Sequence, residues 1–376
     1  MPLVVVSRNK AEKARRPASG CGRCGALPVN EDGPGHLFLW PPVAHTLAKL
    51  STQLTAFGRE HEVDGAQGRL AVEVAAGQLG RLCADLAGGI GEQEARDTNV
   101  LFVPEGRAPA FDDFARVLSL DVARNRARYE WLKGLIGGRN LTCHFQPIVA
   151  AAGAGAGAPF AHEILVRGRG DGGVLISPGM MFEVARKCDL LFQLDRAARE
   201  TAVRRAAAAD STGRYFINFA PSALYDPESC LRSTLALVDA SGMKRDRLVF
   251  EAIETERVAS ADHVAKILDY LRAEGFQVAL DNVGAGYSTL NPMGAVKPDY
   301  VKIDRSLITG VESDAYKGAI VRRLIDLAHE VGARVIAQGV EKRPGADWLA
   351  EAGADLLQGW LFGKPADAPR ARPAGG

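Results

Sequence analysis

Covalent reinforcement is scarce in this sequence. Six cysteines in 376 residues cannot staple a chain of this length, and they suit a reducing compartment. The cytoplasm is therefore the expected location. Long hydrophobic runs are also missing, since no stretch reaches the roughly 18 apolar residues that a membrane span requires. The opening MPLVVVSRNKAEKARR has a short apolar part with its charges behind it, the reverse of a secretory leader. Excess charge of either sign is absent too: 46 basic against 45 acidic residues leave a net charge of +1. No overall field draws the chain to nucleic acid or to an anionic membrane, so neither is an expected partner. A local anion pocket is compatible with the same balance.

A metal site built on cysteine is not expected either. Cys21 and Cys24 in CGRCG have the spacing of a zinc ribbon, but a structural zinc needs four ligands and no second Cys-x-x-Cys follows. His36, His45 and Cys83 could complete the set only by an accident of folding. No thioredoxin-like strand precedes the pair, which argues against a redox motif. Cys143 and Cys188 lie in apolar runs and read as core residues.

What is present is the balance of a globular protein, with 47% apolar and 24% charged residues over a length that suggests two or three domains. Residues 1–20 read as a flexible basic tail. Residues 21–110 alternate short apolar runs (HLFLW, RLAVEV, NVLFV) with helical patterns such as VAHTLAKLSTQLTAF, which predicts a small α/β domain of unknown role. In FLWPPVAHTL, an aromatic–proline cluster reads as a rigid helix entry with proline in the first turn. Phe111 to Ile136 carry apolar residues at three- and four-residue spacing, and GGRN follows. The pattern predicts one connecting helix within 111–139, suited to signal transmission, to dimerisation or to simple linkage.

From Leu141 the rhythm changes. The runs TCHFQPIV, AHEILVR, RYFINFA, LVFEAI, FQVALD, DYVKID, ARVIAQ and ADLLQG recur, most of them separated by helical patterns. Strands alternating with helices in this number predict a (β/α)8 TIM-like barrel over 140–368, with 369–376 as a tail. The first link, AAAGAGAGAP, is too short and too flexible for a helix, so the first strand should pair antiparallel with the second.

Active sites of such barrels lie at the C-terminal ends of the strands. There the sequence places Glu163 and Arg167, Asn218, Glu251 and Glu254, Asp281 and Asn282, Lys302 and Asp304, Gln338 and Glu341, and Gln358. One or two such residues would be strand caps; a ring of acids and amides with a Lys and an Arg asks for more, because unpartnered burial costs several kcal/mol. Oxygen donors without His or Cys suit Mg²⁺, Mn²⁺ or Ca²⁺. Two such ions about 4 Å apart can activate water against a phosphodiester, with Arg167 and Lys302 facing the phosphate charge.

These residues stand in motifs that resemble the EAL domain, the bacterial phosphodiesterase and receptor module for cyclic di-GMP, over about 140–366. FQPIV is similar to its opening strand and HEILVRG to its Glu-Ala-Leu signature with the following Arg. INFAPSAL, VFEAIE, LDNVGAGYSTL, PDYVKID, VIAQGVE and DLLQGWLFGKP follow in the family's order. The resemblance implies that Glu163, Asn218, Glu251, Asp281 and the position of Asn282 hold Mg²⁺ or Mn²⁺. It gives Lys302, Glu254, Gln338 and Glu341 catalytic roles, and Gln146, Leu165, Arg167, Gln358 and Pro365 contact with the dinucleotide. It also implies a homodimer through surfaces near the fifth barrel strand.

Two departures fall on the chemistry. Asn282 stands where the family has a second Asp, and Gln338 where it has a Glu. An amide is a weaker ligand for a hard cation and cannot take a proton from water. Val283 for Phe and Ile253 for Thr are further changes nearby. The expectation is a cyclic di-GMP signalling protein with a degenerate EAL domain that binds the dinucleotide, with little or no hydrolysis, and signals through its N-terminal domain or an unknown protein partner. The alternatives are an active metal-dependent phosphodiesterase producing linear pGpG, and a protein-interaction regulator that binds no nucleotide.

Overall fold

The computed structural model describes residues 26–28, 31, 33–138, 140–153, 156–209, 213–252, 261–285 and 297–370. Strands β1 (Gly35–Trp40), β2 (His61–Asp64), β3 (Arg69–Val74), β4 (Asn99–Pro104) and β5 (Leu118–Ser119) form an antiparallel sheet in the order β2-β3-β1-β4-β5. Strand period two sends Leu37 and Leu39 of β1 into a core with Leu50, Leu54, Leu82 and Leu86 of the helices. On the other face Phe38 and Trp40 stack with ring centroids 6.2 Å apart. Pro41 and Pro42 precede the helix Ala44–Ala56 and its Val43 cap, so neither lies in the first turn.

The single helix expected from Phe111 to Ile136 is several elements. Phe111–Arg116 is a 3-10 turn, Leu118–Ser119 pairs with β4, and two helices follow, Leu120–Arg128 and Glu130–Gly137. The helical spacing misleads because Phe111 and Phe114 are exposed, at 94% and 79%, and so define no buried stripe. Asp113 instead anchors the segment, accepting from Arg107, Arg116 and the Ala110 N–H. Ser119 then starts a new helix by accepting from the Val122 N–H.

Strands β6 (Leu141–Ala150), β7 (Pro159–Arg169), β9 (Arg214–Phe219), β10 (Leu248–Ala252), β11 (Gln277–Val283), β12 (Tyr300–Ile303), β13 (Arg334–Gln338) and β14 (Leu356–Gln358) close into a barrel. The two-residue β8 (Leu175–Ile176) lies beside β7. As the short glycine-rich link requires, β6 runs antiparallel to both neighbours, β7 and β14, and the other barrel pairings are parallel. Helices cover the outside; three of them start on Ser177, Asp226 and Asp314 side chains that accept first-turn N–H groups. No helix among the described residues is long and apolar enough to cross a membrane.

The barrel interior begins as an apolar layer with one residue from each of the eight strands: Ile148, Ala161, Phe216, Val249, Ala279, Tyr300, Ile336 and Leu356. Outside it, a buried polar network ties helix Leu191–Ala208 to the end of β9. Arg199 donates to Asp195 Oδ2 at 2.8 Å and to Thr234 Oγ1 at 2.6 Å, and Asp195 Oδ1 accepts the Ala220 N–H at 2.9 Å. Asp195→Ala leaves the Arg199 charge buried without its partner, and urea unfolding of the full chain should show a loss of about 3–5 kcal/mol. A loss under about 1 kcal/mol, the scale of an exposed pair, would contradict the assignment.

Candidate functional site

One strand period beyond the apolar layer, every barrel strand carries a polar side chain. Two residues past each layer residue stand Glu163, Asn218, Glu251, Asp281, Lys302, Gln338 and Gln358; on the reversed β6, Gln146 stands two residues before Ile148. The ring follows from alternation: if one residue of a barrel strand points inward, so does the next but one. Glu251 lies opposite Asn218, Gln338 opposite Gln358, and Gln146 opposite Glu163.

Lys302 occupies the centre and is fully buried. Its Nζ lies 2.8 Å from Glu163 Oε2, 2.8 Å from Glu251 Oε1 and 3.7 Å from Asp281 Oδ1. Glu163 is the satisfied acid, accepting from Lys302, from Gln358 Nε2 at 2.8 Å and from Asn218 Nδ2 at 3.0 Å. Glu251 is the opposite case. Lys302 faces its Oε1 as an ion pair outside hydrogen-bond alignment, and neither oxygen of Glu251 accepts a hydrogen bond among the described residues.

Asp281 is capped by two amides. Gln338 Nε2 donates to its Oδ1 at 2.7 Å, and Asn282 Nδ2 donates to its Oδ2 at 3.0 Å. Asn282 reaches back because β11 breaks register between Leu280 and Val283, which puts Asn282 at φ 55°. Among non-glycine residues, Asn and Asp tolerate that left-handed conformation best.

The protonation balance follows from these contacts. Burial opposes ionisation of Glu163, but the Lys302 ammonium and the three hydrogen bonds outweigh it and hold the carboxyl below its usual range. Burial raises Glu251 well above that range; Lys302 opposes the rise and the neighbouring carboxylates add to it. Asp281 is raised for the same reason, less the hydrogen bond from Gln338. Burial works against the charge of Lys302, yet Asp281, Glu163 and Glu251 together raise its pKa.

For a divalent cation the residues divide. The Glu251 carboxylate, ion-paired with Lys302 but accepting no hydrogen bond among the described residues, and the Gln358 Oε1, which likewise accepts none, are oxygen donors of the kind Mg²⁺ or Mn²⁺ takes. The Asp281 side does not fit, since amide N–H groups already bond both of its oxygens. No three His, Cys, Asp or Glu converge as a ligand set among the described residues.

A cleft of about 340 Å³ opens beside the ring, lined by Glu163, Asn218 and Asp281 and, on its apolar side, by Leu165, Pro178 and Phe182. With this geometry in hand, comparison with known proteins is decisive: the model of the EAL domain family matches residues 130–365. The chain belongs to the EAL domain family. The bifunctional diguanylate cyclase/cyclic di-GMP phosphodiesterase MucR of Pseudomonas aeruginosa is 30% identical over 231 residues, 60% of this chain and 33% of that protein. The probable cyclic di-GMP phosphodiesterase PdeG of Escherichia coli is 29% identical over 240 residues, 63% of this chain and 46% of that protein. A standalone EAL protein of Vibrio cholerae, solved in its cyclic di-GMP-bound form, matches with a TM-score of 0.56 and 32% identity over 62% of this chain and 95% of that chain. This EAL chain thus spans about a third to a half of the length of these curated relatives.

Of the residues singled out in the sequence, the EAL barrel brings Gln146, Glu163, Asn218, Glu251, Asp281, Lys302, Gln338 and Gln358 into one ring, with Asn282 attached through Asp281. Leu165 lines the cleft. Arg167 is half-buried on β7 and donates to the Val166 carbonyl. Pro365 is half-buried beside the Phe145–Ala366 bridge. Glu341 is exposed, three residues beyond Gln338, and is not joined to the ring. Glu254, Cys21 and Cys24 lie outside the described residues. The sequence reading missed Pro178 and Phe182, because they come from a helix rather than a strand end; the only signal was SPG, a helix start with proline in its first turn.

Glu251→Gln removes a buried charge without donors, and should stabilise the protein at neutral pH by about 1–3 kcal/mol. The sign follows from the raised pKa: ionising Glu251 costs the folded state stability as pH rises above the unfolded carboxylate value, and nothing below it. Melting of both proteins across pH checks this, with the gain present at neutral pH and vanishing in acid.

Proposed function

We propose that this EAL protein binds cyclic di-GMP at the mouth of the barrel and hydrolyses it little or not at all. The observation that carries the reading is the pair of amides, Asn282 and Gln338, hydrogen-bonded to Asp281 where the family pattern has acids. Neither can act as a base, and a general base is typically worth about 10²–10⁴-fold in rate. The wall of Leu165, Pro178 and Phe182 suits a flat base, and Arg167, two residues beyond Leu165 on β7, suits a phosphate. Two charges fewer at Asn282 and Gln338 also weaken repulsion of a dianionic ligand. Relatives named as cyclic di-GMP phosphodiesterases and the ligand-bound V. cholerae structure support the choice of dinucleotide.

Mg²⁺ or Mn²⁺, when bound, would supply positive charge for phosphate and water; Glu163, Asn218 and Glu251 are the residues to hold it, and Asp281 could join them only by giving up its hydrogen bonds from Asn282 and Gln338. Glu251, which accepts no hydrogen bond among the described residues, favours a second reading, a slow metal-dependent phosphodiesterase giving linear pGpG. In both readings the output passes to the N-terminal domain, to a protein partner or to a second copy of the chain.

The test is the double variant Asn282→Asp with Gln338→Glu, assayed chromatographically for linear dinucleotide in Mg²⁺ and in Mn²⁺. A gain of about 10²–10⁴-fold over a nearly inactive wild type is expected from restoring the base and the ligand. Substantial wild-type turnover with no gain in the variant would favour the second reading.

A further inference from the structure

Away from the barrel mouth, a second cleft of about 870 Å³ lies where the N-terminal sheet domain meets the barrel. Its walls are helices Leu79–Gly88, Glu92–Asp97 and Leu120–Arg128, closed by Lys187 at the end of helix Pro178–Lys187. Two of these walls are in close contact: a Cβ on Gly80 would stand 2.7 Å from Ala127 Cβ. Only glycine lets the two helices approach this far.

The lining is cationic in a chain that is neutral overall. Arg81, Arg96, Arg124, Arg128 and Lys187 face it, against Glu92 and Asp121. Four of the cations have local partners: Arg81 with Asp85 at 3.7 Å, Arg96 with Glu92 at 3.3 Å, Arg124 with Asp121 at 2.5 Å and Lys187 with Glu183 at 2.7 Å. Each is a pair within one helical turn, of the kind that contributes little and yields readily to a stronger acceptor. Arg128 has no acidic partner among the described residues. Its guanidinium lies 5.3 Å from the Tyr129 ring, and its charge acts against that of Lys187. Cations drawn from four helices thus face one space with one positive charge left over.

We propose that this cleft binds a small polyanion carrying at least two adjacent phosphate groups. Arg128 supplies the free guanidinium, with its planar donor fork for phosphate oxygens. Arg81 and Arg96 reach the ligand from the N-terminal domain and Lys187 reaches it from the barrel, so one ligand clamps the two domains together. The site differs from the barrel mouth and does not depend on cyclic di-GMP binding there. It does touch the same helix: Pro178 and Phe182 line the mouth cleft, and Lys187 ends that helix. Arg126, on helix Leu120–Arg128, donates to the Cys188 carbonyl just beyond it at 2.8 Å.

The experiment is a calorimetric titration of the full chain with inorganic pyrophosphate at constant chloride. Wild type should give a saturable one-site heat. Arg128→Glu and Lys187→Glu should each weaken it by about tenfold or more, the loss expected for a charge-assisted hydrogen bond. Arg323→Glu, a distant exposed position on helix Ala315–Glu330, changes net charge equally and should leave binding intact. Melting temperatures of the variants confirm that all are folded. A parallel titration with a nucleoside diphosphate separates the sources: tighter binding than pyrophosphate identifies a nucleotide, and equal or weaker binding a simple polyphosphate. No saturable heat with either probe, or equal weakening in Arg323→Glu, overturns the proposal.

Discussion

The mouth of this barrel depends on one buried ammonium. Lys302 stands among Glu163, Glu251 and Asp281 in a layer that strand geometry fills from all eight strands. Without a central positive charge three inward carboxylates could not remain close together, since like charges in a low-dielectric interior repel strongly. With it, the acids become unequal. Glu163 takes three side-chain donors and Asp281 two, while Glu251 keeps the charge penalty and, among the described residues, no hydrogen bond. The site is therefore built around a lysine ammonium that only partly satisfies its acids, and Glu251 is the position from which further positive charge gains most.

Binding and chemistry separate at the same place. A phosphodiester is recognised by shape, apolar contact and cationic donors; its cleavage by water also needs a base and well-held charge. On the proposed reading, the cleft beside Leu165 and Phe182 serves the first set of requirements, and Asn282 and Gln338 bear on the second. Because both amides turn their N–H groups to Asp281, they stabilise that carboxylate instead of adding ligands beside it. An amide and a carboxylate are similar in size, so packing alone does not distinguish them in the ring.

Much of this was readable in the chain. The run VALDNV announces a strand whose inward series is Ala279 then Asp281, and LVFEA one whose series is Val249 then Glu251; the structure forms both strands, with both acids in the ring. The hairpin opening the barrel followed from a link that could not form a helix. Other parts were less legible for physical reasons. His61–Asp64 and Leu118–Ser119 are edge strands of the N-terminal sheet, too short or too polar for a period-two signal. The break at Tyr129, with φ −116° and ψ 39°, interrupts an apolar pattern that continues smoothly through it. Glu341 shows a further limit. It stands in the motif order of the family, yet lies past the end of β13 and is exposed, because motif order gives position along the chain and not direction of the side chain. Pro178 and Phe182 reach the cleft from a helix, where strand alternation gives no guidance.

The most direct test of the central claim is a calorimetric titration of the purified protein with cyclic di-GMP in Mg²⁺. The account predicts a saturable heat that returns to baseline after each injection, the mark of a ligand bound and kept. A heat that continues after every injection, from steady hydrolysis, would contradict the reading of Asn282 and Gln338. No heat at two temperatures would contradict binding itself.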